Sequence, residues 1–151
     1  MGGYGALRNG LKYCETFGCV GGLSSAMVID SVEEAVQGGG LFFTTRPYLE
    51  SVFGDLGSVR DSDKDPARLA ADLVYCDRPR PRVYMACGTE DGLLGGNRAL
   101  QDRLRGVGLD VTYEEGPGGH DWDFWNRYLE HLLNWLPLGP ARAGMNSGNV
   151  F

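Results

Sequence analysis

Two residues in this chain of 151 have the types that nucleophilic catalysis requires and the placement to work together: Asp91, in the stretch CGTEDGLL, and His120, in EGPGGHDW. An imidazole takes up and returns a proton near neutral pH. A carboxylate bonded to it selects its tautomer and stabilises its cation. Taken singly, each residue has a plainer reading: an Asp after a strand is commonly a turn or cap residue, and a His between Gly119 and Asp121 could simply bond backbone near a helix start. What favours chemistry is that each follows its own strand-like segment, because in a parallel sheet functional groups gather just beyond the carboxyl ends of the strands.

The elements that must deliver them can be read from apolar spacing and punctuation. VYMACGTED, rich in β-branched, aromatic and small apolar residues, predicts a strand ahead of Asp91, and LDVTYEEG predicts one ahead of the glycine-rich loop of His120. Between them GNRALQDRLRGVG predicts an amphipathic helix with Leu100 and Leu104 on one face and Gly106 or Gly108 as its stop. After the His120 loop, DWDFWNRYLEHLLNWLPL predicts a helix capped by Asp121 and closed by Pro137, with Trp125, Tyr128, Leu129, Leu132 and Leu136 at helical spacing. Upstream, residues 1–13 read as a helix and FGCVGGLSSAMV (17–28) as a buried parallel strand. DSVEEAVQ and RPYLESVFG read as short helices, and DPARLAADLVY as a helix with Asp65 as cap and Pro66 in its first turn. Strands alternating with helices predict an α/β fold, a parallel sheet with flanking helices. One domain is expected over 1–138, followed by a small, polar, flexible tail at 139–151.

Composition excludes several function classes. Net charge is −6 with scattered basic residues, so a nucleic-acid partner is not expected. No apolar run approaches the ~20 residues of a membrane helix. Cys14, Cys19, Cys76 and Cys87 form no CxxC pair and lie in apolar contexts, which predicts reduced, buried thiols in a cytoplasmic protein. His120 and Asp123 in HDWD are too few ligands for a metal, and no cofactor is implied. Ser24 and Ser25 lack the spacing of a nucleophile elbow and read as strand-end or pocket-lining residues. Trp122, Phe124 and Trp125 read as core and pocket wall, and His131 as a surface residue.

Asp before His in chain order, each on its own strand end, is the second half of the Ser, Asp, His order of α/β-hydrolases. The chain resembles the esterase branch of that fold that includes tributyrin esterases, S-formylglutathione hydrolases and feruloyl esterases. The resemblance is carried by GTEDGLL, by EGPGGHDWDFWNRYLEHLLNWLPL and by the opening MGGYGAL, which is similar to the stretch directly after the nucleophilic serine in the GxSMGG elbow. It implies a C-terminal half of an α/β-hydrolase fold, with Asp91 as the triad acid, His120 as the general base and the backbone N–H of Met1 as one oxyanion donor. It also implies that residues 30–80 form lid and pocket wall, and that a small-molecule ester is the substrate. On this reading the chain starts one position after its nucleophile and is inactive as it stands, with an open edge on its first strand that invites self-association. The alternative is a non-catalytic remnant or interaction module docking through that edge.

Overall fold

The computed structural model of the chain describes residues 1–37, 45–60 and 62–138. Along the chain run α1 (Gly2–Lys12), β1 (Cys19–Leu23), α2 (Val28–Val36), α3 (Arg46–Phe53), a 3₁₀ turn at Leu56–Ser58 and α4 (Pro66–Tyr75). Then come β2 (Arg82–Gly88), α5 (Leu94–Gly106), β3 (Val111–Gly116) and α6 (Trp122–Trp135). The three strands are parallel in the order β1-β2-β3, in a register that sets Val83 beside both Val20 and Val111. The expected tail at 139–151 lies outside the described residues.

Strand alternation decides the layers. Val20, Val83, Met85 and Val111 point to one face, where Leu7, Leu11, Leu73, Leu100 and Leu104 of α1, α4 and α5 close over them. Tyr84 and Ala86 point to the other, where α6 supplies Phe124 and Tyr128 with Leu132 and Trp135 beside them. β2 is therefore buried on both faces, as the central strand of a parallel sheet must be. A third cluster joins Tyr4 of α1 to Ile29, Val32, Leu49, Phe53 and Leu56, and binds α2, α3 and the 3₁₀ turn to the end of α1.

Local chemistry sets several boundaries. The carboxylate of Asp65 accepts the Ala67 N–H at 2.9 Å with Pro66 in the first turn, and Asp121 accepts the Phe124 N–H at 2.9 Å. At Gly10 an added Cβ would lie 2.7 Å from Val20 Cβ, so only glycine lets α1 lie this close to β1.

Four expectations need correction. The first strand is shorter than 17–28: it ends at Leu23 because Ser24 turns into the left-handed region, φ 45°, and Val28 already opens α2. α5 begins at Leu94, ahead of its first expected residue. On α6, Leu129 and Trp122 are exposed; the buried stripe is Phe124 and Tyr128. Of the four free cysteines only Cys14 and Cys87 are buried, since Cys76 sits beyond the last turn of α4 on its outer side and Cys19 is half-buried at the start of an edge strand.

Candidate active site

All three strands end at the same rim, and each strand end carries part of the site. Asp91 follows β2 in a turn whose own N–H returns to the Gly88 carbonyl at 3.1 Å, and His120 follows β3 at the end of the glycine-rich loop. His120 Nδ1 lies 3.0 Å from Asp91 Oδ2. The other carboxylate oxygen accepts the Leu93 N–H at 2.9 Å. The pair is asymmetric: the Asp91 side chain is 1% exposed and that of His120 49%, so one end of the imidazole is held by a buried anion and the rest faces solvent. The edge of the Trp125 ring meets the His120 ring at a centroid distance of 4.9 Å and 90°, which limits its rotation.

The two loops are laced together. Thr89 N–H donates to the Gly116 carbonyl at 2.9 Å, Glu90 N–H to the Gly118 carbonyl at 3.1 Å, and the Glu90 carboxylate takes the Gly118 N–H in return. Asp121 accepts the Gly119 N–H as well as its capping bond. Gly88 is required by this closeness, because a Cβ there would sit 2.0 Å from the Gly118 carbonyl oxygen. Gly88→Ala should lower the unfolding free energy by about 1–3 kcal/mol, the range for forcing atoms into a packed site, as a shift in the urea midpoint.

The electrostatics favour an ionised acid. Burial alone would raise the Asp91 carboxyl, but the Leu93 N–H, the nearby Ser24 hydroxyl and His120 outweigh it and hold the group below its ordinary value. The Ser24 hydroxyl is itself buried with no hydrogen-bond partner. In the same loops the Phe124 and Gly119 N–H groups hold Asp121 low, and the Thr89 hydroxyl and Gly118 N–H hold Glu90 low. A carboxylate whose folded value is depressed stabilises the fold above its unfolded value, and that contribution is lost as pH falls through the folded one. Acidification below about pH 4 should therefore loosen these loops first. Amide exchange is the check: Leu93, Gly118 and Phe124 N–H should lose protection before the amides of β2.

Met1 stands at the N-cap of α1. Since α1 runs back along β1, with Gly10 against Val20 and Gly3 against Ser25, that N-terminus lies at the same rim as Asp91 and His120. Ser24 and Ser25 are just beyond β1 and buried, with neither hydroxyl partnered. His131, half-exposed on α6, is bonded to Glu114 of β3 at 2.7 Å. Trp122 is 72% exposed beside Trp125, so of the three aromatics only Phe124 is core. Sequence reasoning missed Asn97, fully buried between α5 and the Ser25 backbone. Its signal was a polar residue on the Leu100 and Leu104 face.

Among the described residues, no three His, Cys, Asp or Glu side chains converge as a metal site, and no helix is long and apolar enough to cross a membrane. The groove between α2 and the 3₁₀ turn, lined by Ile29, Val32, Val36 and Leu56 with Glu33 and Arg60 at its rim, takes in neither Asp91 nor His120.

A parallel sheet covered on both faces, with Asp and His at successive strand ends, defines the C-terminal half of an α/β-hydrolase fold. The chain belongs to the Esterase family, whose family model matches residues 1–136. It is 45% identical over 136 residues to an acetyl esterase of Caldicellulosiruptor saccharolyticus, covering 90% of this chain and 51% of that protein. Among solved structures it is similar to the S-formylglutathione hydrolase of Staphylococcus aureus, with 26% identity, a TM-score of 0.73, and coverage of 89% of this chain and 50% of that one. It is also similar to the fluorophosphonate-binding serine hydrolase F of the same organism, with 25% identity, a TM-score of 0.72 and the same coverage. A ferulic acid esterase at 21% identity and a TM-score of 0.58, covering 88% of this chain and 46% of that one, shares the fold. The chain spans about half the length of the relatives it matches.

Proposed function

We propose that Asp91 and His120 are the acid and base of a serine carboxylester hydrolase for short acyl esters, with a serine directly ahead of Met1 as nucleophile and the Met1 N–H as one oxyanion donor. The observation that carries this reading is the 3.0 Å contact between a buried Asp91 and a half-exposed His120 at the carboxyl rim. In the reaction the serine oxygen bonds to the ester carbonyl carbon while His120 Nε2 takes its proton. The tetrahedral oxyanion collapses, the bond to the alcohol oxygen breaks, and His120 returns the proton to that oxygen. Water, deprotonated by the same imidazole, then adds to the acyl carbon, and as the bond to the serine oxygen breaks His120 returns the proton to that oxygen, releasing the acid and restoring the serine. These groups supply every proton transfer, so no cofactor enters. The 45% identity to a protein named acetyl esterase supports a small acyl group.

The 151 residues by themselves are expected to be inactive, because the hydroxyls of Ser24 and Ser25 are buried and neither contacts His120. The test is p-nitrophenyl acetate hydrolysis with and without a Gly-x-Ser-bearing upstream half of the fold joined to Met1. Turnover only in the joined protein, with an acyl-serine seen by mass spectrometry, supports the reading. No turnover in the joined, folded protein overturns it.

A second reading, an interaction module that pairs through its sheet edge, is favoured by one observation: among the described residues β1 is bonded to β2 alone and leaves its outer edge unpaired. Size-exclusion chromatography over a range of concentrations tests it, and a monomer indifferent to added upstream half argues against it.

A further inference from the structure

We propose that Ser24 is a positioning residue for the acid of the pair: its buried hydroxyl is the third donor of the Asp91 cradle, and Asn97 locks the turn that brings it there. The inference rests on reading Asp91 as the acid that orients His120.

Three independent features meet at this turn. Ser24 has φ 45° and is 3% exposed. A left-handed serine inside a packed rim costs energy that glycine would avoid, and such outliers persist where the side chain itself is needed. Its hydroxyl is buried with no hydrogen-bond partner, in a setting where buried polar groups are nearly always satisfied. Its position supplies the reason. The Ser24 N–H donates to the Ala86 carbonyl at 2.8 Å, which extends the ladder by one step and sets Ser24 alongside Cys87, at the base of the Asp91 turn.

Asn97 ties this turn to that one. Its Oδ1 accepts the Ser25 N–H at 3.2 Å, and its Nδ2 donates to the Ser25 carbonyl at 2.9 Å and to the Leu93 carbonyl at 2.8 Å. Leu93 is the residue whose N–H already donates to Asp91 Oδ1. One buried amide thus spans the turn of Ser24 and Ser25 and the turn of Leu93. A carboxylate has room for about four donors, and here the Leu93 N–H and His120 leave space for a hydroxyl. The other groups acting on this spot are the Cys87 thiol, pushed up to about 12 first by burial and then by the Asp91 charge, and the Asp121 carboxylate, whose negative charge opposes that of Asp91. A carboxylate cannot donate and a thiol is the weaker donor, so Ser24 is the preferred third donor.

If Ser24 were only a turn residue, glycine would serve better, and the two accounts diverge on Ser24→Gly. In the full 151-residue chain, followed by carboxyl ¹³C NMR, Ser24→Gly should make Asp91 a weaker acid by about tenfold, the effect of one hydrogen bond to a carboxylate, while the urea midpoint does not fall. Ser24→Ala should shift Asp91 equally and lower the urea midpoint, since it keeps the strained backbone. An unchanged Asp91 midpoint in Ser24→Gly overturns the proposal and gives the hydroxyl to Cys87. A measurement on the unaltered chain covers variants that do not fold: the Ser24 Cβ resonance should follow the Asp91 titration, and indifference to it overturns the proposal as well. None of these readouts involves ester turnover, so failure here and failure of the esterase reading are separate results.

Discussion

His120→Ala, in the chain joined to a serine-bearing upstream half, should lower kcat for p-nitrophenyl acetate about a millionfold, to the residual level that binding and the oxyanion donors sustain alone. The size follows from what the imidazole does twice. It removes the proton that would otherwise make the serine hydroxyl a poor nucleophile, and it protonates the departing oxygen so that the tetrahedral intermediate collapses forward. Nothing nearby can substitute. Asp91 is almost wholly buried and spends its oxygens on Leu93 and His120, while His131 is engaged by Glu114 of β3. Because His120 is half-exposed and its ring is not part of a hydrophobic cluster, truncation should leave the fold intact. Unchanged circular dichroism beside the lost turnover is the expected pairing, and a loss of less than tenfold would remove His120 from the mechanism.

Asp91→Asn in the same joined protein should lower kcat about ten-thousandfold through the tautomer of His120 rather than through its position. Leu93 N–H needs an acceptor, so the amide of the variant must place its oxygen where Oδ1 now sits, which turns its NH₂ toward His120 Nδ1. Facing a donor, Nδ1 must become the acceptor, and the ring proton moves to Nε2, the atom that should receive the proton of the serine. The base is then present, correctly placed and already occupied. Structure and KM should barely change while kcat falls. A fall in stability of Asp91→Asn that accounts for its lost activity, or a rise in KM alone, would point instead to a structural role for Asp91.

These two residues were legible because each is local to a strong pattern. VYMACG and VTYEEG read as strands from composition alone, and the loops after them hold Asp91 and His120, each in reach of a strand end. The capping residues Asp65 and Asp121 were equally readable, since a side chain that accepts an N–H two or three residues on acts within a single turn. The end of β1 was not. GLSSAMV is as apolar as a strand, and only the left-handed backbone of Ser24, φ 45°, with Val28 already in α2, shows that the chain turns there. α6 misled in a similar way: Leu129 fits the helical period, yet the sheet presents Tyr84 and Ala86 to the neighbouring stripe of Phe124 and Tyr128.

By itself the sequence determined the kinds of elements, their order and the two loops that carry chemistry, because apolar period, caps and glycines act over a few residues. Tertiary structure alone decided that Asp91 and His120 meet at 3.0 Å, that one is buried and the other open, and that Asn97 joins turns from β1 and β2. Those contacts depend on the register of parallel strands separated by whole helices, and register is settled by packing on both faces of the sheet, which no local window contains.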